Sequence, residues 1–386
     1  CPGDNPGDTP GFCEGEINLS HNLYRGNYAT YGNTLATTDF VGTLDMSNSF
    51  YDVYDCEDEK VNIVWVDVDA EVVVYFDNSV GDVCSIQDDV WVSPFGDDEN
   101  MGTSQSEAFL TIGRAFEMIA PDDDDIITIN LTEGTFSPYS TGENFPIIMT
   151  SYINLIGQGE EVSLLDAEQT GKVIEMYELI DASISELTVL NGFADTFFPF
   201  NCGGGISIHD AEAIVLSNLE ITDNHANHGG GGIFIDDAEE IVLSNLEITG
   251  NHADVHGGGL YLDHSNVNMN SIVIKENSAF DFGGGFFAQY SDPIMENITI
   301  ENNECINPDG TNGAGGGALI AVCNAQINNL NVINNKAYWM GGGILMEASD
   351  STVMNNIIIQ GNQCEDGDGG GLYINNSNLL LSNGTI

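Results

Sequence analysis

The chain has 386 residues and is strongly acidic: Asp and Glu number 61 against 6 Lys and Arg, for a formal net charge of −55. Such a surface repels nucleic acid, anionic membrane and polyuronate alike, and it suits a saline or calcium-rich medium in which cations screen the self-repulsion. A hydrophobic content of 42% with strict periodicity argues against disorder, and no run of about 18 apolar residues is present to form a membrane-spanning helix.

The first 13 residues, CPGDNPGDTPGFC, read as a Pro/Gly/Asp loop closed by cysteines. Eight cysteines are an even count that allows disulfides in an oxidising compartment, with Cys1–Cys13 and Cys56–Cys84 as the expected pairs. Cys202, Cys305, Cys323 and Cys364 sit at different offsets from the later repeat and read as small buried residues. Residues 14–88 hold strand-like runs, Val61–Val66 and Glu71–Phe76 among them, with no repeat; 1–88 is expected to be a small β-rich domain. The chain begins at Cys1 with no leader in view, so a secreted or cell-surface protein with its leader removed or left out is expected.

At Val90 the pattern changes to a strand, an acidic glycine-rich loop and a helix. Asp97, Asp98 and Asn100, between Gly96 and Gly102, alternate oxygen ligands and glycine as a calcium loop does, short of the full twelve-residue hand. Ser104 with Glu107 makes a capping box, and Leu110, Ala115, Phe116 and Ile119 give the apolar face of a helix near 106–119. That helix is expected to cap the first coil of a solenoid over 89–386. The acidic run Asp122–Asp125 reads as solvated.

The solenoid is announced by glycine triplets ending at Gly205, Gly232, Gly259, Gly285, Gly317, Gly343 and Gly371, in steps of 26–32 residues. A near-constant period of this size marks a repeat architecture. Between triplets the apolar runs are short and alternate, as in Ile233-Phe234-Ile235, Ile241-Val242-Leu243 and Leu246-Glu247-Ile248. Period-2 patterning with β-branched residues reads as three strands per coil, hence an all-β parallel β-helix. Two Asn columns fix its register. One precedes the last of these strands (Asn218, Asn245, Asn297, Asn329, Asn356, Asn383, with Ser271 in one coil); the other follows it (Asn224, Asn251, Asn277, Asn303, Asn335, Asn362). Asn tolerates left-handed backbone, and its amide can bond the same amide one coil away.

Two family resemblances follow from these residues. Ser93–Thr103 (SPFGDDENMGT), Thr111–Ala115, Ile127–Pro138 with its EGTFSP, and Ile153–Gly159 resemble secreted bacterial right-handed β-helix proteins of the pectate-lyase-like superfamily. The Gly-Gly-Gly and Ile-x-x-Asn repeats resemble those of polymorphic outer-membrane adhesins. Together they cover roughly residues 90–386, and they imply the fold; lyases, hydrolases, adhesins and structural proteins all share it.

Chemistry is expected just after each triplet. The fourth residues on are His209, Asp236 and Asp263, and the fifth are Asp210, Asp237 and His264. In register these form a two-by-three grid with rows about 4.8 Å apart. Three readings stand side by side: a solvated acidic turn, a cation site (calcium for the oxygens), or the carboxyl pair of an inverting glycoside hydrolase. Phe234, Tyr261, Phe286 and Phe287 are the aromatic residues available to line a groove beside it. His225, His228, His252 and His256 offer a second metal cluster, with coil duplication as the alternative, given the twin segments AIVLSNLEIT and EIVLSNLEIT.

Absences weigh as well. The repeats hold no Arg and only three scattered lysines, and no polygalacturonase-type Asn-Thr-Asp, Gly-His-Gly or Arg-Ile-Lys motif occurs. Asn18, Asn130, Asn297, Asn375 and Asn383 stand in glycosylation sequons. The reading favoured by the sequence is an extracellular, non-catalytic structural or adhesive surface protein, with glycans or other surface proteins as partners. The alternative is a glycan-active enzyme, hydrolase or lyase, using the acidic grid. Because LLLSNGTI stops inside a coil, head-to-tail self-association into filaments is expected.

Overall fold

The computed structural model describes residues 86–121, 123, 126–195, 201–305 and 313–386 in full and, before residue 86, the backbone of short strands. Two compact units separate: Cys1–Gln87 with Glu117–Ala120, and Asp88–Phe116 with Pro121–Ile386.

In the first unit the strands pair in parallel, Cys13–Asn18 with Phe40–Asp45 and the latter with Val72–Tyr75. Cys13 lies opposite Phe40, Leu23 opposite Phe50, Leu35 opposite Val64 and Gly42 opposite Val72, so this region steps at 27–30 residues, within the range of the later coils, although it carries no glycine triplet. The side chains of Cys1, Cys13, Cys56, Cys84 and Asn18 lie outside the described residues.

The second unit is a right-handed parallel β-solenoid built of three sheets. Strands such as Ile241–Thr249 stack in the first sheet, Ile233–Asp236 and Leu260–Asp263 in the second, and the two-residue strands His225–Ala226 and His252–Ala253 in the third. Each coil does hold three strands, but they are divided differently from the sequence reading. Ile241–Leu243 and Leu246–Ile248 are one strand, bent at Asn245, whose φ is 52°. The third strand is the short one after Asn251, too brief to show a period. Inward residues such as Ile206, Ile208, Ile235, Leu262 and Ile274 are fully buried and fill the tube.

The two Asn columns do different work. The exposed column at the bend takes the left-handed conformation at every position, Ser271 included. The buried column carries a complete hydrogen-bond ladder. The Asn277 Oδ1 accepts from both the backbone N–H (2.9 Å) and the Nδ2 (3.0 Å) of Asn251. Its own Nδ2 donates to Ile248 O and to Asn303 Oδ1. The glycine triplet packs on this ladder. The first glycine of each has φ between 59° and 72°. A Cβ on the last, Gly259, would lie 2.9 Å from Asn277 Nδ2 and 2.8 Å from Gly285 O. A serine ladder missed in the sequence adds to it: Ala238 N–H donates to Ser265 Oγ, and Ser265 N–H to Ser291 Oγ.

The helix is shorter than expected, Ile112–Met118. Ser104 precedes a separate turn of 3₁₀ helix, Gln105–Glu107, and makes no side-chain cap. The capping acceptors are instead Thr111 Oγ1, which takes the Arg114 N–H at 3.0 Å, and the buried carboxylate of Glu143. The latter takes the N–H groups of Ile112 at 2.6 Å and Gly113 at 3.1 Å. Ala115, Phe116 and Ile119 are buried as expected, whereas Leu110 is only half-buried. Cys202, Cys305 and Cys323 are free and buried, and Cys364 is free and half-buried.

Asn277→Ala removes the acceptor of two buried donors and is expected to cost on the order of 3 kcal/mol. Asn297→Ala, at the exposed bend, costs about 1 kcal/mol for the left-handed backbone. Guanidinium unfolding midpoints check the contrast; equal losses would contradict the ladder's role.

Candidate functional site

The expected grid forms, because the parallel pairing aligns Tyr177, His209, Asp236, Asp263 and Gln289 as successive partners along the second sheet. The residues after them, Asp210, Asp237, His264 and Tyr290, all turn through left-handed backbone at φ 46–49°, which swings their side chains outward together. Asp236, Asp237 and His264 each bring a donor atom within 4.8 Å of the others. Asp210 does not join that group. His209 Nδ1 lies 3.6 Å from Asp236 Oδ2. Asp263 is held by Tyr261 OH (3.1 Å) and Gln289 Nε2 (2.8 Å) on one oxygen and faces His264 Nδ1 at 2.8 Å with the other. Burial first, then the charge of Asp236, push the Asp237 carboxyl above its usual range, against the pull of His264.

Behind the grid runs a line of hydrogen bonds that the sequence did not suggest. Ser207 Oγ meets His209 Nε2 at 2.9 Å, and Lys172 Nζ donates to Ser207 Oγ at 3.2 Å and to Glu175 at 3.1 Å. This fixes the His209 ring so that Nδ1 faces Asp236. A cavity of about 390 Å³ lies beside it, lined by Phe145, Phe193, Lys172 and Glu175 among others.

The four aromatic residues expected to line a groove do not. Phe286 points into the tube, and Phe234, Tyr261 and Phe287 are buried under the loops that lead into the triplets, in an outer apolar layer with Cys202, Leu319 and Leu345. Alternation alone places these side chains outside the tube; the covering loops have no period to reveal them. Next to the acidic column, Tyr177 (54%) and Tyr290 (53%) are exposed, and the Tyr290 ring stacks on His264 at 4.7 Å and 19°.

The histidines divide into two pairs rather than one cluster. His225 and His252 are ladder partners, and both Nε2 atoms approach Asp254 Oδ1, at 3.0 and 3.3 Å. Asp254 was not a sequence candidate, though the substitution of Asp for Asn227 between otherwise near-identical coils was visible. His228 and His256 belong to the apolar layer: His228 Nδ1 meets Cys202 Sγ at 3.5 Å, and His256 stacks on Phe282 at 5.3 Å. Burial pushes the Cys202 thiol up to about 12, leaving it a packing residue rather than a nucleophile.

In the loop Gly96–Gly102, Asp98 accepts from the N–H groups of Leu110 and Thr111 and from the Thr111 hydroxyl, and Asn100 donates to Ala108 O. Asp97 accepts from Glu99 N–H. These groups hold the loop's shape, and neither aspartate falls in a convergent donor trio among the described residues. Of the sequon residues, Asn130 donates to Val90 O and is half-buried, while Asn297, Asn375 and Asn383 are exposed and donate to side chains of the neighbouring coil.

Burial and the neighbouring His228 hold His256 down to about 4, against 6.5 when free. The unfolded chain therefore binds the proton more readily, so stability is complete above pH 6.5 and is lost as the pH falls toward 4. At about 1.4 kcal/mol per pH unit the loss is about 3 kcal/mol at most. His256→Phe, the residue that the next coil carries as Phe282, is expected to fold and to flatten that part of the stability–pH profile; an unchanged profile would contradict this.

Comparison with known proteins places the fold. Residues 179–325 match the family described as a right-handed β-helix region. No curated protein sequence matches the chain. Among solved structures, pectate lyase Pel9A is 16% identical over 79% of each chain, with a TM-score of 0.51. A rhamnogalacturonan lyase is 12% identical over 77% of this chain and 87% of its own, at 0.41. The pectin methylesterase of Aspergillus niger is 9% identical over 77% and 85%, at 0.40. At these identities the likeness is one of architecture: the chain has the right-handed parallel β-helix fold.

Proposed function

We propose that this is an extracellular protein that cleaves neutral glycans at the turn edge of the second sheet, with Asp237 as proton donor and Asp236 as nucleophile. The observation that carries the reading is the convergence of Asp236, Asp237 and His264 within 4.8 Å on an exposed turn. A carboxyl raised above its usual range, beside a second carboxyl, is the pairing that glycoside hydrolysis needs. The spacing favours double displacement, at about 5–5.5 Å, over the inverting pair of about 6.5–9.5 Å that the bare grid suggested. Asp237 gives its proton to the glycosidic oxygen as the bond to the anomeric carbon breaks, and Asp236 takes that carbon. Asp237 then takes a proton from the water that displaces Asp236.

Tyr177 and Tyr290 support a chain-like substrate. Their rows lie four coils apart, about 19 Å at 4.8 Å per coil, on either side of the acids. The net charge of −55 favours a neutral glycan over a polyuronate.

A panel of neutral and acidic polysaccharides tests this. The expected result is cleavage of a neutral chain with retained anomeric configuration, reduced about 10²–10⁴-fold by Asp237→Asn and unaffected by Asp210→Asn. Binding without cleavage would overturn it in favour of a non-catalytic adhesive surface, and cleavage undiminished by Asp237→Asn would remove Asp237 from its role.

The same carboxylates offer oxygen ligands to calcium. We expect millimolar calcium to raise the melting temperature and Asp237→Asn to remove most of the rise. A melting temperature indifferent to chelator and calcium would rule out a bound ion here.

A further inference from the structure

We propose that His225, His252 and Asp254 form a binding site for a zinc-class divalent ion (zinc, cobalt or nickel) that staples two neighbouring coils through the third sheet. The site is separate from the acidic turn and does not depend on the glycan reading.

The geometry is that of a coordination face. Asp254 Oδ1 lies 3.0 Å from His225 Nε2 and 3.3 Å from His252 Nε2, and the three donors lie within 4.8 Å of one another. With metal–ligand bonds of about 2.0–2.1 Å, neighbouring ligands stand about 3.0 Å apart at 90° and about 3.4 Å apart at the tetrahedral angle. Both measured edges fall in that range. The imidazole–imidazole edge has its ring centres 5.0 Å apart and closes by side-chain rotation.

The surroundings are those of a supported site. His252 turns its other nitrogen, Nδ1, to Ser278 Oγ at 2.8 Å, the outer hydrogen bond that orients a ligating imidazole. Aromatic rings wall the pair on both sides, Phe193 at 5.1 Å from His225 and Phe280 at 4.8 Å from His252. The three side chains remain 29–39% exposed, which leaves room for water at the remaining positions. Two nitrogens and one carboxylate oxygen suit a borderline ion; calcium takes oxygen ligands. His225 belongs to one coil, His252 and Asp254 to the next, so binding bridges them.

The neighbouring coils supply the controls. At the equivalent positions they carry Phe193, Ser278 and Asn227, so His225→Phe, His252→Ser and Asp254→Asn each place a side chain that this fold already accepts. Chelator-treated full-length protein is titrated with Co²⁺, read by its visible absorption, and with Zn²⁺ and Ca²⁺ by calorimetry and thermal melting. One Zn²⁺ or Co²⁺ per chain is expected, at least about tenfold tighter than Ca²⁺ at this site, with a raised melting temperature. Asp254→Asn and His252→Ser should each weaken it about tenfold or more, while His256→Phe leaves it unchanged. Folded wild-type protein that binds no Zn²⁺ would overturn the proposal. So would Zn²⁺ binding that survives all three substitutions, which would mark binding elsewhere.

Discussion

The buried asparagine ladder is the interaction on which the rest of this structure depends. A parallel coil has no hairpin to set its register, so something else must fix each strand against the one before. Here one amide per coil accepts two N–H groups from the preceding coil and donates onward, with every polar atom of the side chain used. In the interior an unmet donor is costly, so a slip by one residue would orphan a whole column at once. The triplet glycines make the ladder possible by letting backbone approach the amides at distances that any Cβ would block.

Function inherits this regularity. Once the register is locked, side chains at one offset become a column, and a mutation in a single coil is placed beside its counterpart with no further design. The acidic turn and the histidine trio are both of this kind. Each combines residues from adjacent coils whose strand partners are 27 positions apart in sequence. Their divergence is local: His209, Asp236, Asp263 and Gln289 occupy one column, and each changes what the next can do. Charge acts in the same way. Glu160 and Glu220 are pushed above the carboxylate range by burial and then by neighbouring glutamates, while Lys275 meets Glu247 at 2.7 Å. An acidic solenoid stacks its own repulsion, which cations in the medium are expected to screen.

The sequence made the solenoid, its period and the acidic column legible, because these rest on repetition. It did not reveal features that depend on how loops fold over the tube. Phe234, Tyr261 and Phe287 look like surface residues by alternation, yet the approach to each triplet covers them. His228 and His256 look equivalent to His225 and His252 by spacing, but they lie under that cover. Asp254, Ser207 and Lys172 carry no motif; only register brings them to their partners. Glu143 caps the helix from 31 residues away, where a local capping box at Ser104 was the nearer reading. In the first unit the step of 27–30 residues was hidden by the lack of glycines, and backbone pairing alone discloses it.

Both sites depend on the register between coils, and paired cysteines measure it directly. Thr222 and Thr249 are opposite one another on adjacent coils, whereas Glu247 is two residues off and opposite Glu220. Strand partners about 4.8 Å apart are within disulfide range, and diagonal ones, about 7 Å or more apart, are not. The chain carrying Thr222→Cys with Thr249→Cys is expected to form an intrachain disulfide under mild oxidation, and the chain carrying Thr222→Cys with Glu247→Cys is not. The reverse outcome would mean that the coils are offset, and both the acidic turn and the histidine trio would have to be abandoned.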